Sequence, residues 1–171
     1  MKNGTYYYDF RINEKNLGYF EIKIENDQIY QNVKFQDGND IYENPFFLKL
    51  KFGEIVAFKK ANRDWVSIRE YGDNHFPSSA YPILLTQIID RLEYFQVNES
   101  NGEVEGKVVL EKAGPIISEY RQGKLIRSFR MENELPVEIN WGGAISRIKK
   151  TFAEAAEDSV FHNKISGNDN A

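Results

Sequence analysis

The sequence predicts a mainly β (α+β) protein: a curved antiparallel sheet, or half-barrel, around a central helix, with a C-terminal helix. Three observations predict it. Apolar and polar residues alternate with period two in short runs over the first seventy residues. Clusters of Asn, Asp and Gly separate those runs at the spacing of a meander. Aromatic residues are abundant, with 12 Phe, 10 Tyr and 2 Trp, and rings suit a pleated, half-buried surface. A flat sheet with two helices on one face is the alternative arrangement.

The elements follow in chain order. Tyr6, Tyr8, Phe10 and Ile12 mark a first strand, ended by a turn at Asn13-Glu14-Lys15-Asn16. Phe20, Ile22 and Ile24 alternate with Glu21, Lys23 and Glu25 as a half-buried strand, and Asn26-Asp27-Gln28 turns the chain. Ile29 to Phe35 forms the next strand, closed by Asp37-Gly38-Asn39-Asp40. Phe46 to Phe52 and Ile55 to Phe58 flank Gly53-Glu54, a tight hairpin signal. Trp65 to Tyr71 is a further strand before Gly72-Asp73-Asn74.

The period then changes. Ser78 or Ser79 can cap a helix, and Pro82 fits its first turn, where a missing N–H costs little. Leu84, Leu85, Ile88, Ile89, Leu92 and Phe95 recur at helical spacing, so a buried helix is expected over Tyr81–Tyr94. Strands resume from Val104 or Lys107 to Leu110, then Ile116 to Tyr120, Leu125 to Met131 and Leu135 to Trp141. Gly142-Gly143 breaks the last of them. Thr151 and Glu154 have capping-box spacing and open a second helix, with Phe152, Ala155, Ala156 and Val160 on one face. It is expected to pack outside the sheet or across an open end. Residues 1–165 read as a single globular domain and 166–171 as a disordered tail.

Composition excludes several function classes. The net charge of −4 offers no phosphate-binding footprint, so nucleic acid is not an expected partner. Without cysteine there is no thiol nucleophile, disulfide framework or Cys-type zinc site. No run is long and apolar enough for a transmembrane segment. Met1–Thr5 leads into a strand pattern without a signal-type apolar stretch, so a cytoplasmic protein is expected. Glycine-rich phosphate loops, nucleophile elbows and zinc-helix motifs are not found, and no cofactor and no metal are expected.

Candidate site residues come from strands and turns. Glu21, Glu119 and Glu138 lie in apolar stretches, and register decides which way each points. Ile117 and Arg121 share the face of Glu119, while Glu138 reads as outward. Arg121, Arg127 and Arg130 gather near one hairpin, either as a surface network with Glu119 or as a seat for an anionic head group. His75 reads as a loop histidine or as a general base beside Asp73, and His162 as a favourable charge ending the last helix. The crowded rings of the first third serve core filling or line an apolar pocket between sheet and helix. Trp141, before two glycines, is a pocket-rim candidate. The proposed ligand-binding set is Tyr8, Phe20, Phe47, Glu119, Arg121 and Trp141.

Strands, an apolar helix, then strands ending in Leu-Pro-Val resemble the half-barrel proteins related to the bacterial lipoprotein-localisation factors. The residues that carry the resemblance are Pro77 to Leu92 and Leu135 to Trp141. It implies a curved sheet wrapping a helical plug and sheltering a lipid-like small molecule; it carries over no site residue. Phe76–Pro82 and Asn140–Ala144 also look like signature stretches of a bacterial family to which no activity attaches. The expected function is non-enzymatic binding of an apolar or amphipathic small molecule. A protein-interaction subunit, or a hydrolase or isomerase using strand carboxylates, are the alternatives.

Overall fold

The computed structural model describes residues 1–162. It is mainly β: one large, curved, unclosed and predominantly antiparallel sheet. Its first strands are β1 (Gly4–Ile12), β2 (Lys15–Glu25), β3 (Gln28–Asp37), β4 (Asp40–Lys51), β5 (Glu54–Lys60), β6 (Val66–Ser67) and β7 (His75–Pro77). A short helix, α1 (Tyr81–Gln87), follows. The remaining strands are β8 (Arg91–Val97), β9 (Val104–Ala113), β10 (Ile116–Arg121), β11 (Lys124–Glu132), β12 (Leu135–Asn140) and β13 (Ile145–Lys149), before α2 (Phe152–Ala156).

Across the sheet the order is β6-β5-β4-β3-β2-β1-β13-β12-β11-β10-β9-β8-β7. Two meanders therefore meet where β1 pairs with β13, and only β7 runs parallel to its neighbour, β8. Tight turns set the register. Asn13 and Glu14 have φ of 48° and 64°, and Asn133 and Glu134 have 50° and 64°. Two consecutive left-handed residues match the twist of paired strands.

Alternation gives the sheet two faces. Tyr8, Phe20, Ile22, Leu48, Val108, Leu110, Ile117, Phe129 and Ile139 are buried on the inner face, where Tyr81, Leu84 and Leu85 of α1 join the same core. The entry to α1 is held from three sides. Gln31 of β3 donates to the Ser79 carbonyl at 2.5 Å, and Arg127 of β11 donates to the Ser78 carbonyl at 3.2 Å. Glu99 accepts from the Ser78 hydroxyl at 2.8 Å and the Ser79 N–H at 2.7 Å. The serines expected to cap the helix are thus bound by a carboxylate, and Ala80 occupies the N-cap position. On the outer face, α2 sets Phe152 edge-on to Tyr7 and Tyr19, with centroids 5.8 and 4.7 Å apart.

Several boundaries differ from expectation. The helix ends at Gln87, not Tyr94, and the chain is a strand again from Arg91. Ile88 keeps its side chain in the core, whereas Ile89 is 82% exposed. From there Tyr94 and Gln96 point in, while Arg91, Glu93 and Phe95 point out. Hydrogen bonding to β9 on one side and β7 on the other satisfies this backbone in extended form, and a short apolar run fits either period. Trp65–Tyr71 contains only the two-residue β6 and a 3-10 turn. In contrast, β4 begins already at Asp40. Strand β13 was not foreseen: it carries Ser146 inward and charges outward, which hides its alternation. Of the second helix, Ala155 and Ala156 are buried, but it stops before Val160, which is half exposed. His162 lies beyond the end of α2, its N–H donating to the Ser159 carbonyl at 3.3 Å. The tail expected at 166–171, like the boundary at 165, lies outside the described residues.

Candidate functional site

A transverse belt of rings crosses the inner face. Phe10 of β1 is in register with Gly18 of β2, Gly18 with Phe35 of β3, and Phe35 with Tyr42 of β4. Glycine at the second position leaves nothing between the flanking rings. Phe10 and Phe35, two strands apart, therefore stack at 4.7 Å with planes 24° apart. Phe35 in turn stacks on Tyr42 at 5.0 Å and 18°. Gly18 is also the residue the backbone demands: a Cβ there would lie 2.0 Å from the Lys34 carbonyl oxygen.

The belt forms one wall of a cleft of about 430 Å³, lined by Phe10, Val33, Phe35, Tyr42, Asn44 and Trp141, with Glu43 at its margin. Phe10 is buried, but Tyr42 is 48% exposed, so the ring stack ends open to solvent. Trp141 is fixed in place. Its indole N–H donates to Ser146 at 3.0 Å, its backbone N–H donates to Ala144 at 2.8 Å, and its ring meets Phe20 edge-on at 5.4 Å.

Behind Trp141 lies a buried polar cluster. Glu119 of β10 faces Arg127 of β11 in register, and the guanidinium Nε–H donates to the carboxylate at 2.5 Å. Both side chains are largely enclosed, at 1% and 12% exposure. The guanidinium also covers the rings of Tyr81 at 4.5 Å, Phe129 at 5.3 Å and Trp141 at 5.8 Å. Burial alone would favour the neutral guanidine. The charge and hydrogen bond of the adjacent Glu119, together with the Tyr94 and Tyr81 phenols, more than offset this and raise the Arg127 pKa. Burial pushes the phenols of Tyr81 and Tyr94 far above the usual range.

The proposed site residues thus divide. Trp141 lines the cleft, and Phe20 supports it from the core. Tyr8 is wholly buried and donates to the Pro136 carbonyl at 2.8 Å, so it is a core residue. Phe47 is on the other face of the sheet, beside Tyr30 at 5.0 Å and below the Lys59 ammonium at 5.1 Å. Strand parity put it there: Phe47 pairs with outward Tyr30, while neighbouring Leu48 pairs with inward Ile29. Glu119 and Arg121 do share the inner face, but the three arginines form no single surface network. Arg121 donates to Gln96, Arg127 is buried on Glu119, and Arg130 pairs with Glu132.

Other acidic and basic candidates have structural partners. Glu138 is bound by Arg147 at 2.8 Å. Glu21 stands on the outer face, where partial burial and the neighbouring Glu43 charge raise its pKa. The His75 Nδ1–H donates to the Asp73 carbonyl at 2.8 Å, and the ring stacks between Tyr71 and Phe95 at 6.5 and 5.1 Å. The acidic turn at Asp37–Asp40 is the β3–β4 hairpin. No group of three or more metal-ligating side chains gathers among the described residues, and no helix there is long and apolar enough to cross a membrane.

Reasoning from sequence missed Phe10, Phe35 and Tyr42 as a unit. The signal that could have found them was Gly18 in an otherwise regular strand, a sign of close approach over its face. No family model, curated protein or solved structure matches this chain.

Proposed function

We propose that the protein binds an apolar or amphipathic small molecule with a flat face, seated on the inner-face cleft between Tyr42 and Trp141. The observation that supports this best is the continuous ring stack Phe10–Phe35–Tyr42, whose last ring is half exposed. A stack that ends in solvent leaves apolar area that a further planar or hydrocarbon surface would cover. Asn44, which lines the cleft, would take the polar end of an amphipathic guest. The half-barrel resemblance in the sequence points to the same class of ligand.

The test uses Trp141 as its own reporter. In a Trp65→Phe background the remaining indole is at the cleft. Titration with anilinonaphthalene sulfonate, then with long-chain fatty acids and lysophospholipids, should shift its emission saturably. Ligand at one hundred times Kd should add about 2.7 kcal/mol to folding stability. Tyr42→Ala should weaken binding about tenfold while leaving the fold intact. If no compound in the panel moves either the emission or the melting temperature, the reading fails.

A further inference from the structure

The turn between β4 and β5 carries a residue that the fold does not ask for. Phe52 has φ of 53°, a left-handed conformation uncommon for a bulky side chain. Every other non-glycine residue with positive φ among the described residues is Asn, Asp, Glu or Gln. Asn13, Asn26, Asn62, Asn74 and Asn133 show what such a turn prefers. Phe52 is also 94% exposed, and the Lys51 ammonium lies over its ring at 5.8 Å. Position 52 thus combines an unfavourable backbone with a wet aromatic ring, and neither helps the core. Ile89, in the turn after α1, is 82% exposed. These two are the most exposed large apolar side chains among the described residues. They belong to one end of the sheet. A cleft of about 430 Å³, lined by Glu54, Ile55, Phe76, Ile83, Leu84 and Gln87, brings the start of β5 beside the last turn of α1. Phe52 precedes that lining by two residues, and Ile89 follows it by two.

We propose that this end of the molecule docks on an anionic phospholipid bilayer, with Phe52 and Ile89 inserted at the interface and Lys49 and Lys51 against the headgroups. Charge complementarity supports it. In a chain of net charge −4, residues 45–60 carry four lysines, Lys49, Lys51, Lys59 and Lys60, against one acid, Glu54. The ion pairs of lysines among the described residues use Lys23, Lys34, Lys107 and Lys149, so Lys49 and Lys51 are uncommitted, and both are exposed. The neighbouring turns add Asp27 and Asp90, so apolar insertion carries the contact and charge assists it. A stable protein interface buries at least about 1,000 Å² of matched surface. Two side chains on separate turn tips supply only a few hundred Å², and a bilayer needs no matched surface. Tyr42 and Phe52 lie at opposite ends of β4, so this inference does not rest on the ring-stack cleft.

Co-sedimentation of the full chain with vesicles tests it. Vesicles of phosphatidylcholine and phosphatidylglycerol, three to one, should bind the protein more tightly than phosphatidylcholine alone. Added salt should weaken binding without abolishing it. Phe52→Asn supplies the residue that other turns use, so its melting temperature should equal or exceed that of the parent, while vesicle affinity falls at least tenfold. Ile89→Ser, outside any helix or strand, should act in the same direction. Lys51→Gln should cost about fivefold. Ile41→Ser removes an exposed apolar residue at the far end of the sheet and should leave vesicle binding unchanged. The proposal is overturned if the parent sediments with neither vesicle, if Phe52→Asn binds like the parent, or if Ile41→Ser loses as much. It is equally overturned if vesicles are ignored and the parent forms a dimer that Phe52→Asn dissociates, since the tips would then join two copies of the chain.

Discussion

The Glu119 carboxylate and the Arg127 guanidinium are cross-strand partners, 2.5 Å apart, inside the sheet rather than on its rim. Three rings face the cation, and the Ser78 carbonyl takes a further N–H. Removing one member of such a pair leaves an enclosed charge without compensation. Glu119→Ala should therefore cost about 3–5 kcal/mol of unfolding free energy. Arg127→Met combined with Glu119→Leu should cost much less, because no lone charge remains. Urea unfolding of the two variants checks this; equal losses would show that shape, not charge, sets the penalty.

Gly18 lets the rings on either side of it meet. In Gly18→Ala the new methyl would press on the Lys34 carbonyl oxygen and the Phe35 Cα, both backbone atoms that cannot swing away. About 3 kcal/mol of destabilisation is expected. The same methyl would part Phe10 from Phe35, so ligand-induced change in Trp141 emission should fall together with stability. An Ala variant as stable as the parent would show that β2 and β3 can slide apart at this point.

These two positions show what was legible from sequence. The hairpins of the first half were visible because Phe20, Ile22 and Ile24 alternate cleanly and Asn or Gly marks each turn. The same alternation put Ile117, Glu119 and Arg121 on one face, and the structure places that face inward. The buried depth of Glu119 was not legible, because its partner is set by a hairpin register that shifts at a bulge between Glu119 and Tyr120. The helix was overextended for a different reason. Leu92 and Phe95 fit a helical stripe, yet Glu93 makes an outward ion pair with Arg91, two residues back on the same strand, and another across to Lys107 of β9, an arrangement that needs an extended chain. The ring belt needs four strands in register, a relation that no local window contains.

The N-cap of α2 was legible from Thr151 and Glu154. Thr151 Oγ1 accepts from the Glu154 N–H at 3.2 Å, and the Glu154 carboxylate accepts in return from the Lys150 N–H at 2.9 Å, one residue earlier than a standard capping box. Thr151→Ala should lower stability by about 1 kcal/mol. It should also free Phe152 from Tyr7 and Tyr19, raising proteolytic cleavage in the last described turns without affecting the cleft on the opposite face. Thr151→Ser should restore both. Cleavage unchanged in the Ala variant would mean that the rings, and not the cap, hold this helix.

Burial of phenols fixes how the protein responds to alkali. Tyr19 and Tyr30 are pushed up to about 12, chiefly by burial and then by the Glu21 charge. Tyr8, Tyr81 and Tyr94 are raised further, again chiefly by burial. An unfolded phenol titrates near pH 10, so above that value the unfolded chain loses protons that the folded chain keeps. The stability these groups contribute is therefore complete below about pH 10 and is lost as pH climbs towards and past the folded values. Unfolding free energy should be nearly flat from about pH 7 to about pH 9, then fall with a slope that steepens as more phenols separate. Tyr81→Phe deletes one deeply buried group and should make that slope shallower by about 1.4 kcal/mol per pH unit. Urea titrations at several alkaline pH values, with tyrosinate absorbance recorded on the same samples, measure both quantities. A lower tyrosinate absorbance in folded Tyr81→Phe than in the folded parent would show that Tyr81 ionises before the fold is lost and would contradict its enclosure.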